Sequence, residues 1–280
     1  MSTQQEKAQR FRALHEGPGA FVMPNVWDGG SAALMAQLGF EALATSSAAA
    51  AATLGKLDGA LTRAEALAHA ELIAAMSALP VSADLENGFG HAPEAAADTI
   101  RLAAAAGLVG GSIEDASGEA DAPIYALEHA VGRIAAAVQA ARSAPFPFTL
   151  TARAENFLHG RADLTDTIRR LQAYERAGAD VLFAPGLPDL GAVREVCAAL
   201  KKPVSFMVGM RGRSFSQGEL AAAGVRRISL STTLYRAAMT GLEVAAREAR
   251  AGRFDYVEAL MSGADLGRAL SAQARASSSG

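Results

Sequence analysis

The sequence predicts an α/β protein, a single (β/α)8 TIM barrel with extra C-terminal helices. Short β-prone apolar runs alternate with longer Ala- and Leu-rich runs of helical period, a pattern typical of βαβ units in a parallel sheet. Eight such β-prone runs can be counted, and 280 residues are close to the length that one barrel uses. No internal repeat or low-complexity linker divides the chain, so we expect one domain over residues 1–280.

The predicted strands are short, and candidate helices lie between them. We expect strands at residues 21–23, 42–45, 81–83, 111–113, 149–151, 181–183, 204–207 and 227–230. We expect the intervening helices at residues 31–38, 63–78, 93–106, 126–142, 164–177, 190–200 and 217–222. Gly39, Gly107, Gly178 and Gly224 each follow a helical run and precede a strand, as glycines in the left-handed conformation do at helix ends.

The segment after the eighth strand is longer than barrel closure requires. Two further helices are predicted at residues 234–250 and 254–269, and an extra helix of this kind has to pack on its own barrel or on another subunit. The small, Ser-rich residues 276–280 are expected to form a frayed tail.

Composition and charge exclude several classes of partner. The formal net charge of −3 offers neither a basic surface for nucleic acid nor a polybasic patch for a membrane. The N-terminus has no apolar signal region, and no uncharged run approaches the length of a membrane span. We therefore expect a cytoplasmic protein. The one cysteine, Cys197, lies in an amphipathic run and is expected to be a buried structural thiol, with a nucleophile as the alternative.

Polar residues cluster where the predicted strands end, which is the rim that carries the chemistry of such barrels. Carboxylates crowded there would repel one another unless a cation lies among them. The five histidines lack the paired spacing of a zinc site, whereas oxygen ligands suit Mg²⁺. We therefore expect Mg²⁺, with Mn²⁺ as a substitute. The rim residues are Asn25, Asp28, Thr45, Ser46, Ser47, Asp84, Glu86, Asn87, Glu114, Asp115, Arg153, Glu155 and Asn156.

The stretch at residues 81–90, VSADLENGFG, carries the clearest signal for a metal site. Asp84 and Glu86 are two residues apart and so face the same side of a strand, and the following glycines let the chain approach a ligand closely. A solvated acidic turn is the alternative interpretation. We expect Asp84 to be the main metal ligand, with Glu86 and Glu114 binding directly or through water.

Several of these motifs together resemble the isocitrate lyase / phosphoenolpyruvate mutase family over residues 25–236. The first two strands lead into segments that match the family's Asn-containing turn, its helix end, its Ser-rich loop and its Leu-Gly-x-x-Asp segment. These are PNVWD at 24–28, LGF at 38–40, TSS at 45–47 and LGKLD at 54–58. The family's acidic metal strand and the ends of its fourth and fifth strands are matched by DLENGFG at 84–90, IED at 113–115 and AR at 152–153.

The resemblance implies a Mg²⁺-dependent enzyme that acts on a small α-oxo acid through an enolate. It implies catalytic roles for Arg153, Asp58 and Glu114. It implies substrate contacts from Ser46, Ser47, Asp84, Arg153 and Arg236, and metal contacts from Asp84, Glu86 and Glu114. It also implies a homo-oligomer, a dimer or tetramer, in which a C-terminal helix within residues 236–270 is exchanged between subunits. The alternative is that these helices fold back onto their own barrel.

The loop after the fourth strand departs from the family's lyases. Residues 116–123, ASGEADAP, replace a Lys-Lys-Cys-Gly-His loop whose cysteine donates a proton. Decarboxylation releases CO2 and leaves no departing alcohol that needs a general base, so this loop suits an oxaloacetate decarboxylase-like lyase better than isocitrate cleavage. The alternatives are a P–C bond mutase or hydrolase acting on phosphonopyruvate-type substrates, and a barrel that binds α-oxo acids with weak catalysis.

Overall fold

Eight parallel strands form a nearly closed barrel in the computed structural model, which describes residues 2–278. The strands are β1 (Phe21–Met23), β2 (Leu43–Ala44), β3 (Val81–Asp84), β4 (Gly110–Glu114), β5 (Thr149–Arg153), β6 (Val181–Phe183), β7 (Val204–Met207) and β8 (Val225–Ser229). They pair in the order β1-β8-β7-β6-β5-β4-β3-β2, and a parallel bridge between Asn25 and Ala44 joins the two end strands. The predicted (β/α)8 barrel is confirmed.

Helices surround the barrel, and the seven helices predicted between residues 31 and 222 are found to within two residues at each end. The helices are α1 (Gln4–Glu16), α2 (Gly29–Gln37), α3 (Ser47–Thr53), α4 (Arg63–Met76), α5 (Pro93–Ala105), α6 (Leu127–Arg142), α7 (Leu164–Ala177), α8 (Leu190–Ala198), α9 (Gln217–Ala222), α10 (Thr233–Arg250) and α11 (Gly263–Ser278), with a 3-10 turn at Asp255–Ala259. The four predicted helix-end glycines all have a positive φ. The core between strands and helices is aliphatic and includes Leu43, Ile73, Ile100, Ile134 and Leu150.

The sequence analysis missed α1 and α3. Helix α1 begins with a capping box, in which the Thr3 hydroxyl accepts from the Glu6 N–H and the Glu6 side chain accepts from the Thr3 N–H. Its Phe11 side chain is buried and lies against Gly110 at the start of β4. Helix α1 therefore covers the N-terminal end of the barrel and leaves the opposite rim open.

The prediction of one helix at 254–269 is wrong. The chain forms the 3-10 turn and then α11, because the Ser262 hydroxyl accepts from the Asp265 N–H at 3.1 Å and starts a new helix there. The predicted tail at 276–280 begins too early, because residues 276–278 continue α11. Residues 279–280 of that tail lie outside the described residues.

The two C-terminal helices differ in their surroundings. Helix α11 packs against α2 of the same chain, and its Ala269 is buried. Helix α10 contains no buried residue. Its apolar side chains Leu242 and Val244 are 59% and 52% exposed, respectively. No helix within residues 2–278 combines the length and apolar composition needed to cross a membrane.

Candidate active site

Arg153 lies at the centre of the carboxylates that the strand ends bring together. Its Nη1 is 3.0 Å from Asp84 Oδ1, its Nη2 is 3.1 Å from Glu114 Oε2, and its Nε is 2.8 Å from Glu155 Oε1. Asp84, Glu114 and Arg153 are the last residues of the adjacent strands β3, β4 and β5, so the parallel register places their side chains on one rim. The Arg153 side chain is only 13% exposed, which makes this a preorganised cluster.

A second set of contacts holds Asp84 from the side of β2. Its Oδ2 accepts hydrogen bonds from the Ser47 N–H at 3.2 Å and the Ser47 hydroxyl at 3.0 Å. Ser47 Oγ is also 3.1 Å from Asp58 Oδ1, so Ser47 links the two carboxylates. The Ser46 hydroxyl instead caps α3, where it accepts from the Ala49 N–H at 3.4 Å. Of the two serines predicted to contact substrate, only Ser47 joins the acidic cluster.

Glu86 follows Asp84 in a strained turn. Its φ is +48°, a left-handed conformation that costs a residue other than glycine about 1–3 kcal/mol, and such strain is commonly found at functional sites. Its Oε1 is buried and has no hydrogen-bond partner among the described residues. Burial, Asp84 and Asp58 together raise the pKa of Glu86 to about 7, although Arg153 opposes the shift.

The cluster is short of positive charge. Burial raises the pKa values of Glu114 and Glu155, and the neighbouring carboxylates add to the rise, while Arg153 counteracts it. Burial disfavours the charge on Arg153 itself, yet Glu114, Glu155 and Asp84 hold its pKa well above the usual value. Asp84, Glu114 and Glu155 thus share one guanidinium. This excess of negative charge favours the binding of a further cation.

The donor set fits a hard divalent cation better than zinc. Across residues 2–278, no three His, Cys, Asp or Glu side chains form a ready-made metal cage. Mg²⁺ is usually held by one or two carboxylates, with water and substrate oxygens completing the octahedron. Asp84 and the unpartnered Oε1 of Glu86 supply such carboxylate oxygens at this rim.

The sequence analysis missed a buried hydrogen-bond network that lies behind the site. Asp115 Oδ1 accepts from the Glu155 N–H at 2.8 Å, and its Oδ2 accepts from the Tyr174 hydroxyl at 2.6 Å and from Arg170 Nη1 at 3.0 Å. Asp115 is 2% exposed, so it anchors the chain after β5 rather than facing the rim cavity. Side chains alternate along a strand, and the adjacent pair Glu114 and Asp115 therefore had to face opposite ways.

Other predicted rim residues have local partners. Asp28 caps α2 by accepting from the Ser31 N–H at 2.7 Å, and Asn156 donates to Asp166 Oδ2 at 2.9 Å. Arg236 lies in the first turn of α10 with an exposed side chain, and the described contacts do not bring it to the acidic cluster.

An open cavity of about 1030 Å³ lies over the cluster, large enough for a small oxo acid. Among its lining residues are Ser47, Asp58, Glu86, Glu114 and Arg153, all of which were predicted as site residues. Cys197 lies elsewhere, on α8 beside Gly224, and burial raises its thiol pKa to about 11. Cys197 is half-buried, so it is less covered than the predicted buried thiol.

Comparison with known proteins identifies a family that the chain matches. Residues 11–250 match the family model described as phosphoenolpyruvate phosphomutase. The chain is 32% identical over 236 residues to an oxaloacetate decarboxylase of Bradyrhizobium diazoefficiens, covering 78% of this chain and 80% of that protein. It is 31% identical over 252 residues to an oxaloacetate decarboxylase of Ectopseudomonas mendocina, covering 88% and 85% of the two chains.

Solved structures agree with the fold. A crystal structure from Burkholderia cenocepacia J2315, for which lyase or mutase activity has been suggested, is 55% identical with a TM-score of 0.93 and covers 95% of each chain. The 2,3-dimethylmalate lyase, a member of the PEP mutase/isocitrate lyase superfamily, is 28% identical with a TM-score of 0.86 and covers 100% of each chain.

Proposed function

The chain belongs to the phosphoenolpyruvate phosphomutase family, within the PEP mutase/isocitrate lyase superfamily of enzymes. On that premise we propose that it is a Mg²⁺-dependent lyase that cleaves a C–C bond in a small α-oxo acid, in the manner of oxaloacetate decarboxylation. The supporting relatives are the oxaloacetate decarboxylases that are about one third identical to the chain. The observation that carries the proposal is the Arg153 guanidinium fixed between Asp84 and Glu114 at the open rim.

The metal would be held by Asp84, with Glu86 and Glu114 direct or through water, and would supply positive charge where an enolate oxygen develops. Arg153 has N–H groups left over from its three ion pairs, and these would hold the substrate carboxylate as a bidentate donor. Ser47 would fix the other edge of that carboxylate. Asp58 reaches the site through its contact with Ser47 Oγ.

Decarboxylation places modest demands on these residues. The bond between C3 and C4 of oxaloacetate breaks, its electron pair forms the enolate of pyruvate, and CO2 leaves. A proton must then reach C3. Glu114 is suited to hold that proton, because burial raises its pKa, and in this role it would reach the metal only through water. The cluster would therefore combine an anion-stabilising guanidinium with an acid that can donate a proton.

A substrate screen tests this proposal against its rivals. The protein is incubated with Mg²⁺ and either oxaloacetate or phosphonopyruvate, and pyruvate, CO2 and phosphate are measured. Pyruvate with CO2 supports the decarboxylase. A P–C bond mutase or hydrolase is the second candidate, favoured by the description of the matching family model, and would convert phosphonopyruvate instead. Ligand-dependent melting shifts without product would indicate a binding protein.

We predict that Mg²⁺ affinity falls as the pH drops through about 7. The carboxylate form of Glu86 binds the cation, and its pKa of about 7 means that this form predominates above that pH and is lost below it. Between pH 8 and pH 6 the apparent Kd for Mg²⁺ should therefore weaken by about tenfold. Isothermal titration calorimetry across that range measures the effect.

The Glu86→Gln variant should bind Mg²⁺ more weakly but with a much flatter pH dependence. Glu65→Gln is the matched control, because hydrogen bonds from Lys56 and Thr62 lower the Glu65 pKa to about 2 and keep it ionised throughout the range. An unchanged pH slope in Glu86→Gln would assign the titration to another group.

We also propose that the chain is a homodimer or homotetramer in which the C-terminal segment at 236–270 contacts a neighbouring subunit. Helix α10 has no buried residue, and Met239, Leu242 and Val244 on it are exposed apolar side chains that a partner would cover. Light scattering at micromolar concentration should give the mass of two or four chains. A monomer mass would contradict the prediction.

A further inference from the structure

The inner face of α7 carries two side chains that contact one buried carboxylate. Arg170 and Tyr174 lie one helical turn apart, and both are buried. The Tyr174 hydroxyl donates to Asp115 Oδ2 at 2.6 Å, and Arg170 Nη1 donates to the same oxygen at 3.0 Å. Burial and the charge of Asp115 raise the pKa of Tyr174, so the phenol keeps the proton that it donates. The two side chains therefore hold one oxygen of Asp115 in place.

Asp115 in turn holds the end of β5. Its backbone N–H donates to the Arg153 carbonyl at 3.2 Å, and its Oδ1 accepts from the Glu155 N–H at 2.8 Å. The Glu155 side chain then accepts from Arg153 Nε at 2.8 Å. Asp115 thus fixes the main chain on both sides of Ala154. Through Glu155 it also fixes the direction in which the Arg153 guanidinium leaves the strand.

The contact with Glu155 differs from the other two ion pairs of Arg153. The Asp84 and Glu114 side chains are 18% and 16% exposed at the rim, where the proposed function uses them for the metal and for proton transfer. The Glu155 side chain is only 2% exposed. Its pair with Arg153 is therefore the one that can stay in place while metal and substrate bind.

We propose that Arg170 and Tyr174 are positioning residues for Arg153. Acting through Asp115 and Glu155, they hold its guanidinium in the orientation that receives the substrate carboxylate. This role rests on the proposed function, because it assumes that Arg153 binds the substrate. The alternative is that the network only fastens α7 to the barrel, in which case its loss lowers stability and leaves the guanidinium unaffected.

Tyr174→Phe removes one hydrogen bond of the network with little change in side-chain volume. We expect kcat for oxaloacetate to fall roughly tenfold with little change in KM, because a misplaced guanidinium loses its contacts mainly in the transition state. Tm should fall by about 2–4 °C. Thr167→Val is the matched control, since it removes another buried hydroxyl of α7, which donates to the Asp163 carbonyl at 2.7 Å. The control should lower Tm by a similar amount and leave kcat unchanged.

Exchange of the Arg153 Nε–H proton with water measures the positioning without any substrate. This proton lies in the contact with Glu155, and its NMR signal is the one that is absent from Arg153→Lys. In Tyr174→Phe it should exchange roughly tenfold faster, because the contact opens more often, whereas Thr167→Val should match the wild type. The exchange rate decides the inference even if the wild type does not decarboxylate oxaloacetate, so the two failures can be told apart.

Arg170→Lys is a second variant that acts on the same carboxylate. It keeps the positive charge but cannot reproduce the fork that contacts Asp115 and Asp166 through different nitrogens. It should speed the same exchange and lower kcat. The inference is overturned if Tyr174→Phe and Arg170→Lys lower Tm while the Nε–H exchange stays at the wild-type rate. It is also overturned if Thr167→Val speeds the exchange as much as Tyr174→Phe does.

Discussion

Replacing Asp84 by alanine is expected to lower kcat/KM by about a thousandfold and to weaken Mg²⁺ binding in parallel. Asp84 is the carboxylate that ends β3, beside Glu86 and opposite Arg153, and we propose it as the main metal ligand. A divalent cation that stabilises a developing enolate contributes several kcal/mol, and about 4 kcal/mol corresponds to a factor of a thousand. Calorimetric titration with Mg²⁺ and steady-state kinetics measure the two losses.

Two controls separate loss of the metal from damage to the barrel. Asp98 lines the rim cavity but pairs with Arg101 on the surface of α5, so Asp98→Ala should leave both measurements unchanged. Asp84→Asn keeps the side-chain shape and should fold normally while losing metal affinity. Normal Mg²⁺ affinity in Asp84→Ala would show that the metal assignment is wrong, and so would activity that survives dialysis against EDTA.

The alternation of strands and helices could be predicted because most elements have a strong local signal in the sequence. Gly178, for example, adopts a φ of +103° at the end of α7, where it was predicted to end a helix. Helix α1 was missed because its polar sequence contains few apolar positions, although the capping box from Thr3 to Glu6 was visible. The break at Ser262 was missed because a polar cap inside an otherwise helical pattern is a weak signal.

The acids of the candidate site could be predicted because parallel strands end at one rim. Asp84, Glu114 and Arg153 lie together for that reason. Two further features depend on contacts between distant segments, which one sequence does not reveal. One is the hydrogen bond from the Tyr174 hydroxyl to Asp115, which joins residues 59 positions apart. The other is the exposed position of Arg236, which is set by the direction of α10.

Replacing Arg153 by lysine is expected to lower kcat/KM by about a hundredfold or more, with most of the loss in kcat. The guanidinium contacts Asp84, Glu114 and Glu155 through three different nitrogens. A lysine ammonium is a single point charge and cannot reproduce that fork or present a bidentate donor to a substrate carboxylate. A preorganised donor to developing negative charge is typically worth about 3 kcal/mol, which corresponds to the expected loss.

The alternative is that Arg153 serves only to pair with Glu155 and stabilise the rim. In that case Arg153→Lys would lower Tm while kcat and KM stayed unchanged. Arg142→Lys provides the matched comparison, because Arg142 makes a two-nitrogen pair with Asp180, at 2.6 and 3.1 Å, away from the rim cavity. That variant should lose a little stability and no activity. A selective loss of kcat in Arg153→Lys, with melting close to that of Arg142→Lys, would identify the guanidinium as part of the catalytic machinery.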